Sequence, residues 1–138
     1  MVNPNLQLIY PMFAMVMLTF GVGLVVLKNR IAAVKGGMPI KHFKTYTEGQ
    51  APESMVKADR HFVNLFEVPL LFYVGCLVAM MMPLQGIMVQ VWAWLFVAMR
   101  ILHAYIHIGP NKLRARMTCF WMGCAAVVAL WIQIVISI

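Results

Sequence analysis

Four long apolar segments, separated by polar stretches, constrain this chain more than any other feature. They cover residues 6–27, 60–82, 87–108 and 117–138. A helix needs about 20 apolar residues to cross the hydrocarbon core of a bilayer, and each segment is long enough. Of the 138 residues, 63% are hydrophobic and 11% are charged, which does not describe a soluble domain. We therefore predict one all-α integral membrane domain over residues 1–138, built as a bundle of four transmembrane helices.

Lysine and arginine are concentrated in two regions of the chain. One is the polar loop of residues 28–57 with the helix entry that follows it, and the other lies just before the fourth segment. The turn at 83–86 and the C-terminus contain none. The positive-inside rule then places both basic loops in the cytoplasm and Gln85, Ile138 and both termini on the opposite side, as in a bacterial inner membrane. The net charge of +7 indicates this topology and an anion site, and no nucleic-acid partner is expected.

Polar side chains interrupt the two middle segments at helical spacing, so each helix is expected to present one polar face. An ionisable residue inside a span is by default a candidate functional residue, because its burial in hydrocarbon is costly. The second segment carries Arg60, Asn64 and Glu67, and the third carries Arg100, His103 and His107.

Glu67 and Arg100 are predicted to lie at the same depth. The two helices run antiparallel with their cytoplasmic ends level, and a rise of about 1.5 Å per residue places each side chain about 10 Å below those ends. A charged residue at the centre of a span costs about 2.5 to 3.5 kcal/mol, so we expect a direct ion pair between them. Such a pair could serve only to fix helix register. The further polar residues nearby favour a site for an anionic ligand reached from the cytoplasm.

His103 and His107 allow a second interpretation. One turn apart on a helix, they could share a metal ion or a haem. No cysteine or carboxylate cluster nearby completes a coordination shell, so no metal is expected.

The segment Arg60-His-Phe-Val-Asn64-Leu-Phe-Glu67-Val-Pro69 resembles the second-helix signature of the MAPEG family, the membrane-associated proteins in eicosanoid and glutathione metabolism. The whole chain is similar to that family: four spans, a long basic loop after the first, an arginine in the third, and basic residues before the fourth. The resemblance implies a homotrimer that binds glutathione in clefts between subunits, open to the cytoplasm and to membrane lipid.

The resemblance also implies roles for individual residues. The arginines would bind the carboxylates of glutathione and a glutamate its ammonium, while an arginine at the end of the first helix would reach the peptide from the neighbouring subunit. An arginine before the fourth helix would stabilise the thiolate. The glutathione-binding residues would be Arg30, Arg60, Asn64, Glu67, Arg100, His103 and His107, and the catalytic arginine would be Arg114 or Arg116.

The implied activity is that of a glutathione transferase and peroxidase. The thiol of glutathione, like that of free cysteine, has a pKa of about 8.5, so a nearby cation is needed to form the thiolate at neutral pH. The thiolate would attack a lipophilic electrophile or hydroperoxide that arrives from the bilayer. The alternative is a non-catalytic trimeric scaffold or accessory protein that binds a thiol peptide or lipid. An arginine at the sulfur is needed only by the enzyme.

Overall fold

The computed structural model describes residues 4–46, 49–82 and 87–138, and these residues form helices and loops without a β-strand. The predicted turn at 83–86, with Gln85, lies outside the described residues. A short 3-10 helix, Pro4–Leu8, precedes six α-helices. They are α1 (Ile9–Lys35), α2 (His42–Thr45), α3 (Glu53–Asn64), α4 (Val68–Met81), α5 (Met88–Ile108) and α6 (Leu113–Val135).

Four helical stretches are long and apolar enough to cross a membrane: Leu6–Lys35, Glu53–Met81, Met88–Ile108 and Leu113–Val135. The predicted fold class, all-α with four membrane helices, is confirmed. Large apolar side chains are exposed along all four stretches of the isolated subunit. An outer surface of this kind is suited to lipid or to other subunits rather than to water.

The core lies where α4, α5 and α6 meet. Phe72 and Phe96 are fully buried there, and their rings stack with centroids 4.6 Å apart. Gly75 lets the backbone of α4 approach α6 closely, since a Cβ at this position would lie 2.5 Å from Cδ2 of Leu130. The second span is thereby held against the fourth, and its first part, α3, packs against α1 and α5.

The second span is broken at residues 65–67. Pro69 is the second residue of α4, has no N–H to donate to the carbonyl of Leu65, and cannot continue a regular helix from α3. The chain tightens here, and the N–H of Glu67 donates to the carbonyl of Asn64, three residues back, at 3.4 Å. The expectation of a regular helix through Glu67 was therefore wrong, but Arg60, Asn64 and Glu67 still face the same side. The side chains of Asn64 and Glu67 contact each other directly across the break.

Candidate functional site: a polar cleft between three helices

A polar cleft of about 330 Å³ opens between α3, α5 and the beginning of α6. Its volume is within the range of roughly 300 to 1,000 Å³ that is typical of small-molecule sites. Six of the nine residues proposed from the sequence line this cleft, together with two apolar side chains. The lining residues are Arg60, Asn64, Glu67, His103, His107, Arg116, Met117 and Phe120.

Asn64 connects Arg100 to Glu67. Nη1 of Arg100 donates to Oδ1 of Asn64 at 2.8 Å, and Nδ2 of Asn64 donates to Oε2 of Glu67 at 3.0 Å. An amide suits this position because it offers an acceptor to the guanidinium and a donor to the carboxylate. Among the described residues no direct ion pair joins Glu67 and Arg100, so the expected direct pair was wrong. The physical reason is the break before Pro69, which leaves Glu67 exposed while Arg100 stays buried.

Arg100 lies behind the cleft rather than in its wall. The side chain is 0% exposed, and its guanidinium carbon is 5.2 Å from the ring centroids of both Phe96 and Phe120. Aromatic faces attract a cation at this distance, which partly offsets the cost of burying the charge. Nε and Nη2 of Arg100 have no hydrogen-bond partner within the described part of the chain. Its contact with the cleft is made through Asn64.

The two candidate catalytic arginines lie in different surroundings, although both belong to the first turn of α6. Arg116 is partly buried and lines the cleft. Its Nη1 donates to Oδ1 of Asn111 at 2.7 Å, and Asn111 has the left-handed backbone conformation with φ 50° in the loop before α6. Arg114 is exposed and is not among the residues that line the cleft.

Arg30 lies outside the polar cleft of its own subunit. Its Nη2 forms a salt bridge of 3.1 Å with Oδ1 of Asp59 and lies 3.4 Å from the hydroxyl of Tyr46. Its guanidinium carbon is 5.7 Å from the ring centroid of Phe43. Arg30 and Arg60 both line a second open cleft of about 700 Å³. The sequence did not indicate Asp59 or Tyr46 as partners, because each is separated from Arg30 by a loop of unknown path.

His61 is a buried polar residue in this region that the sequence interpretation left out. It is 0% exposed, its Nδ1 lies 3.2 Å from Nδ1 of His107, and its ring stacks on that of His103 with centroids 5.2 Å apart. A signal for it was available. His61 lies three residues after Ala58 and four before Leu65, and these two apolar residues mark the buried face of α3.

The charges of the cleft favour a ligand with more than one anionic group. Arg60 and Arg116 contribute two guanidinium groups to the lining, and Glu67 contributes one carboxylate. Arginine binds carboxylates through short charge-assisted hydrogen bonds, and a glutamate binds an ammonium in the same way. The arrangement therefore suits a small zwitterion that carries two carboxylates and one amine.

The model of the MAPEG family matches residues 8–136, nearly the whole chain. Comparison with curated proteins and comparison with solved structures gave no match. The matched residues include all four candidate membrane helices almost completely and the whole of the polar cleft. This integral membrane protein is a member of the MAPEG family.

Proposed function

We propose that the protein is a membrane-bound glutathione transferase that also reduces hydroperoxides with glutathione. The observation that carries this proposal is the cleft in which Arg60, Glu67 and Arg116 come together in a member of this family. Glutathione at neutral pH has two carboxylates, one ammonium and one thiol. The cleft offers Glu67 for the ammonium, Arg60 for one carboxylate and Arg116 for the thiolate.

Glu67 binds the ammonium of glutathione in this proposal, and Arg60 binds a carboxylate. Asn64 orients Glu67, because its amide donates to Oε2 and leaves Oε1 for the ligand. The imidazoles of His103 and His107 lie in the same cleft and offer hydrogen bonds to the peptide groups. Arg30 reaches the second carboxylate from the neighbouring subunit.

Arg116 is the residue that activates the thiol. A cation close to an ionisable acid lowers its pKa by roughly 1 to 3. For a thiol whose pKa is about 8.5, this places the thiolate form within the neutral range. The hydrogen bond from Arg116 to Asn111 holds the guanidinium at the cleft, so that little reorganisation is needed when the negative charge forms.

The thiolate serves both reactions. With an electrophilic carbon it forms the C–S bond, and the leaving group departs with the electron pair. With a hydroperoxide the sulfur attacks the outer oxygen, the O–O bond breaks, and the alcohol leaves with a proton from solvent. The sulfenic acid of glutathione then reacts with a second glutathione to give the disulfide and water. Met117, which is 49% exposed, and Phe120 form the apolar side of the cleft. A lipophilic substrate enters the cleft from the bilayer past these two side chains.

We further propose a homotrimer in a bacterial inner membrane, with both termini on the non-cytoplasmic side. Arg60 and Glu67 are exposed on the outer surface of the isolated subunit, beside apolar residues such as Val63 and Phe66, which are each 60% exposed. Contact of these charges with lipid would be costly, and a neighbouring subunit would cover them. Light scattering in mild detergent, corrected for bound detergent, should give the mass of a trimer. A monomer would remove the cleft between subunits.

Kinetics of matched arginine variants test the proposed activity. An interaction made mainly with the thiolate lowers kcat, whereas a uniform binding contact raises KM. Loss of one preorganised donor costs about 100- to 1,000-fold in kcat, so Arg116→Ala should lose about 100-fold and still bind glutathione. Arg60→Ala should mainly raise KM. Lys44→Ala, which removes an exposed charge in α2, should change neither constant. A wild-type protein that binds glutathione but converts no electrophile or hydroperoxide would support the scaffold instead.

A further inference from the structure

Three of the four histidines of the chain form one buried cluster between α3 and α5. His61, His103 and His107 are 0%, 4% and 9% exposed. His103 and His107 lie one turn apart on α5 and face the same side, while His61 enters the cluster from α3. The three ring centroids lie 5.1 to 5.4 Å apart. The proposed glutathione site makes no use of His61.

The nitrogens of the cluster are spaced closely enough to share an ion. One ring nitrogen from each histidine can be chosen so that all three lie within 4.8 Å of one another. Nδ1 of His61 and Nδ1 of His107 are already 3.2 Å apart. Two nitrogens bound at about 2.0 to 2.1 Å to the same tetrahedral zinc ion are separated by roughly 3.3 to 3.4 Å. The nitrogen of His103 lies within 4.8 Å of the other two, and its ring would have to move to bring it to the same distance.

The cluster also contains ring nitrogens without a partner. Nε2 of His61 and Nδ1 of His103 are buried and make no hydrogen bond to any described residue. Buried polar atoms are nearly always paired, and an ion bound through Nδ1 of His103 would provide the partner that this nitrogen lacks. A hydrogen bond between complementary tautomers of His61 and His107 would account for their 3.2 Å contact. It would not provide a partner for His103.

We propose that His61, His103 and His107 bind one late first-row divalent metal ion, of the zinc class, in a trihistidine site. Neutral imidazole suits this class of ion, and three protein ligands leave a fourth position for water or a substrate atom. His103 and His107 also line the polar cleft, so the fourth position is reached from it. This changes the expectation from the sequence, which considered only His103 and His107 and predicted no metal.

The charges around the cluster restrict the choice of ion. Arg60 and Arg116 line the same cleft, the buried Arg100 also acts on His61 and His103, and all three arginines repel a dication, which the carboxylate of Glu67 offsets only in part. Mg²⁺ and Ca²⁺ prefer oxygen ligands and gain little from imidazole. Zn²⁺ and Co²⁺ bind imidazole nitrogen strongly, so we expect these ions, rather than Mg²⁺ or Ca²⁺, to bind despite the repulsion. The site is therefore selective for the second group of ions.

Cobalt titration of the full-length protein tests this site without any thiol present. Protein purified in detergent without a polyhistidine tag is stripped with a chelator, and the visible d–d absorption is followed as Co²⁺ is added. We expect one Co²⁺ per subunit with the intense absorption of a tetrahedral site, displaced by Zn²⁺ and unaffected by Mg²⁺. His61→Ala and His103→Ala should each weaken binding by at least about tenfold. His42→Ala, which changes the histidine outside the cluster, should bind like the wild type.

Two results would overturn the trihistidine site. One is the weak, non-saturating absorption of octahedral Co²⁺ in the wild type, and the other is unchanged affinity in His61→Ala. If the cluster variants do not fold, X-ray absorption spectroscopy of the zinc-loaded wild type counts the imidazole ligands of the ion. The proposed site requires three, and a count below three would exclude it. His103 and His107 belong to both proposals, so glutathione binding is measured separately on the metal-free protein, and failure of the metal site is thereby distinguished from failure of the glutathione site.

Discussion

Replacement of Asn64 by alanine should destabilise the bundle mainly through Arg100. The 2.8 Å bond from Nη1 to Asn64 is the one hydrogen bond that this guanidinium makes among the described residues. A hydrogen bond to a charged group contributes about 1.5 to 3 kcal/mol, and an unpaired buried charge costs about 3 to 5 kcal/mol. Because Arg100 is 0% exposed, water does not replace the amide unless the helices move. We therefore expect Asn64→Ala to lower the free energy of unfolding by about 3 kcal/mol.

A pair of double-mutant cycles separates the contact through Asn64 from a direct ion pair. Asn64→Ala and Arg100→Gln should be coupled by about 1.5 to 3 kcal/mol, because the two side chains share a hydrogen bond. Glu67→Gln and Arg100→Gln should be coupled more weakly than that pair, because these residues share Asn64 but do not touch and glutamine can still accept from Asn64. A direct ion pair would reverse the order of the two coupling energies.

The free energy of unfolding can be followed by circular dichroism as sodium dodecyl sulfate is titrated into mixed micelles. Asn29→Ala is a matched control, because Nδ2 of Asn29 donates to the carbonyl of Ser54 at 3.0 Å in exposed surroundings. We expect this variant to lose only about 0.5 to 1.5 kcal/mol. Additive effects of Asn64→Ala and Arg100→Gln would refute the reasoning, as would an equal loss in the Asn29 control.

The topology, the contact of Gly75 with α6 and the break before Pro69 can each be tested. A membrane-impermeant thiol reagent should label Gly36→Cys from the cytoplasmic side and Ile138→Cys from the other, and the reverse pattern would contradict the topology. Gly75→Val should lower the free energy of unfolding by about 1 to 3 kcal/mol, because even a Cβ would lie 2.5 Å from the neighbouring helix; Gly21→Ala, with no heavy atom within 4 Å of the added Cβ, should be neutral or stabilising in the same unfolding titration. Pro69→Ala should allow a continuous second span and raise the Kd for glutathione measured by calorimetry; an unchanged Kd would show that the break does not shape the cleft.

The spans and the composition of the cleft could be predicted because they depend on local pattern. The length of an apolar segment determines whether it can cross a bilayer, and the helical spacing of polar residues determines which of them lie on the same face of a helix. On this basis Arg60, Asn64 and Glu67 were placed beside His103 and His107, and the structure brings all five together. Their roles toward glutathione stay predictions.

The errors arose where backbone detail or tertiary packing decided the outcome. The missing N–H of Pro69 ends the regular helix before Glu67, so the assumption of 100° per residue failed over a single turn. A depth argument alone could not show that Asn64 would lie between Glu67 and Arg100. His61 could not be recognised from the pattern of polar residues on α3 alone, because its partners, His103 and His107, lie on α5.

The choice between the two arginines of α6 illustrates the same limit. Arg114 and Arg116 are two residues apart, and two residues on a helix differ by about 200° in direction. The sequence determines this angle between the two side chains, but it does not determine how α6 is rotated about its own axis. The structure turns Arg116 toward the cleft, where it contacts Asn111. This contact is the basis for assigning the thiol to Arg116 in the proposal.

The most direct test of the proposed function is a titration of the purified protein with glutathione in which the ultraviolet absorbance of the thiolate is followed. We predict that the wild type forms close to one thiolate for each occupied site at neutral pH. Arg116→Ala should bind glutathione without this absorbance, whereas Arg114→Ala should keep both. Binding without thiolate in the wild type would contradict the transferase mechanism, and the absence of binding would contradict the glutathione site itself.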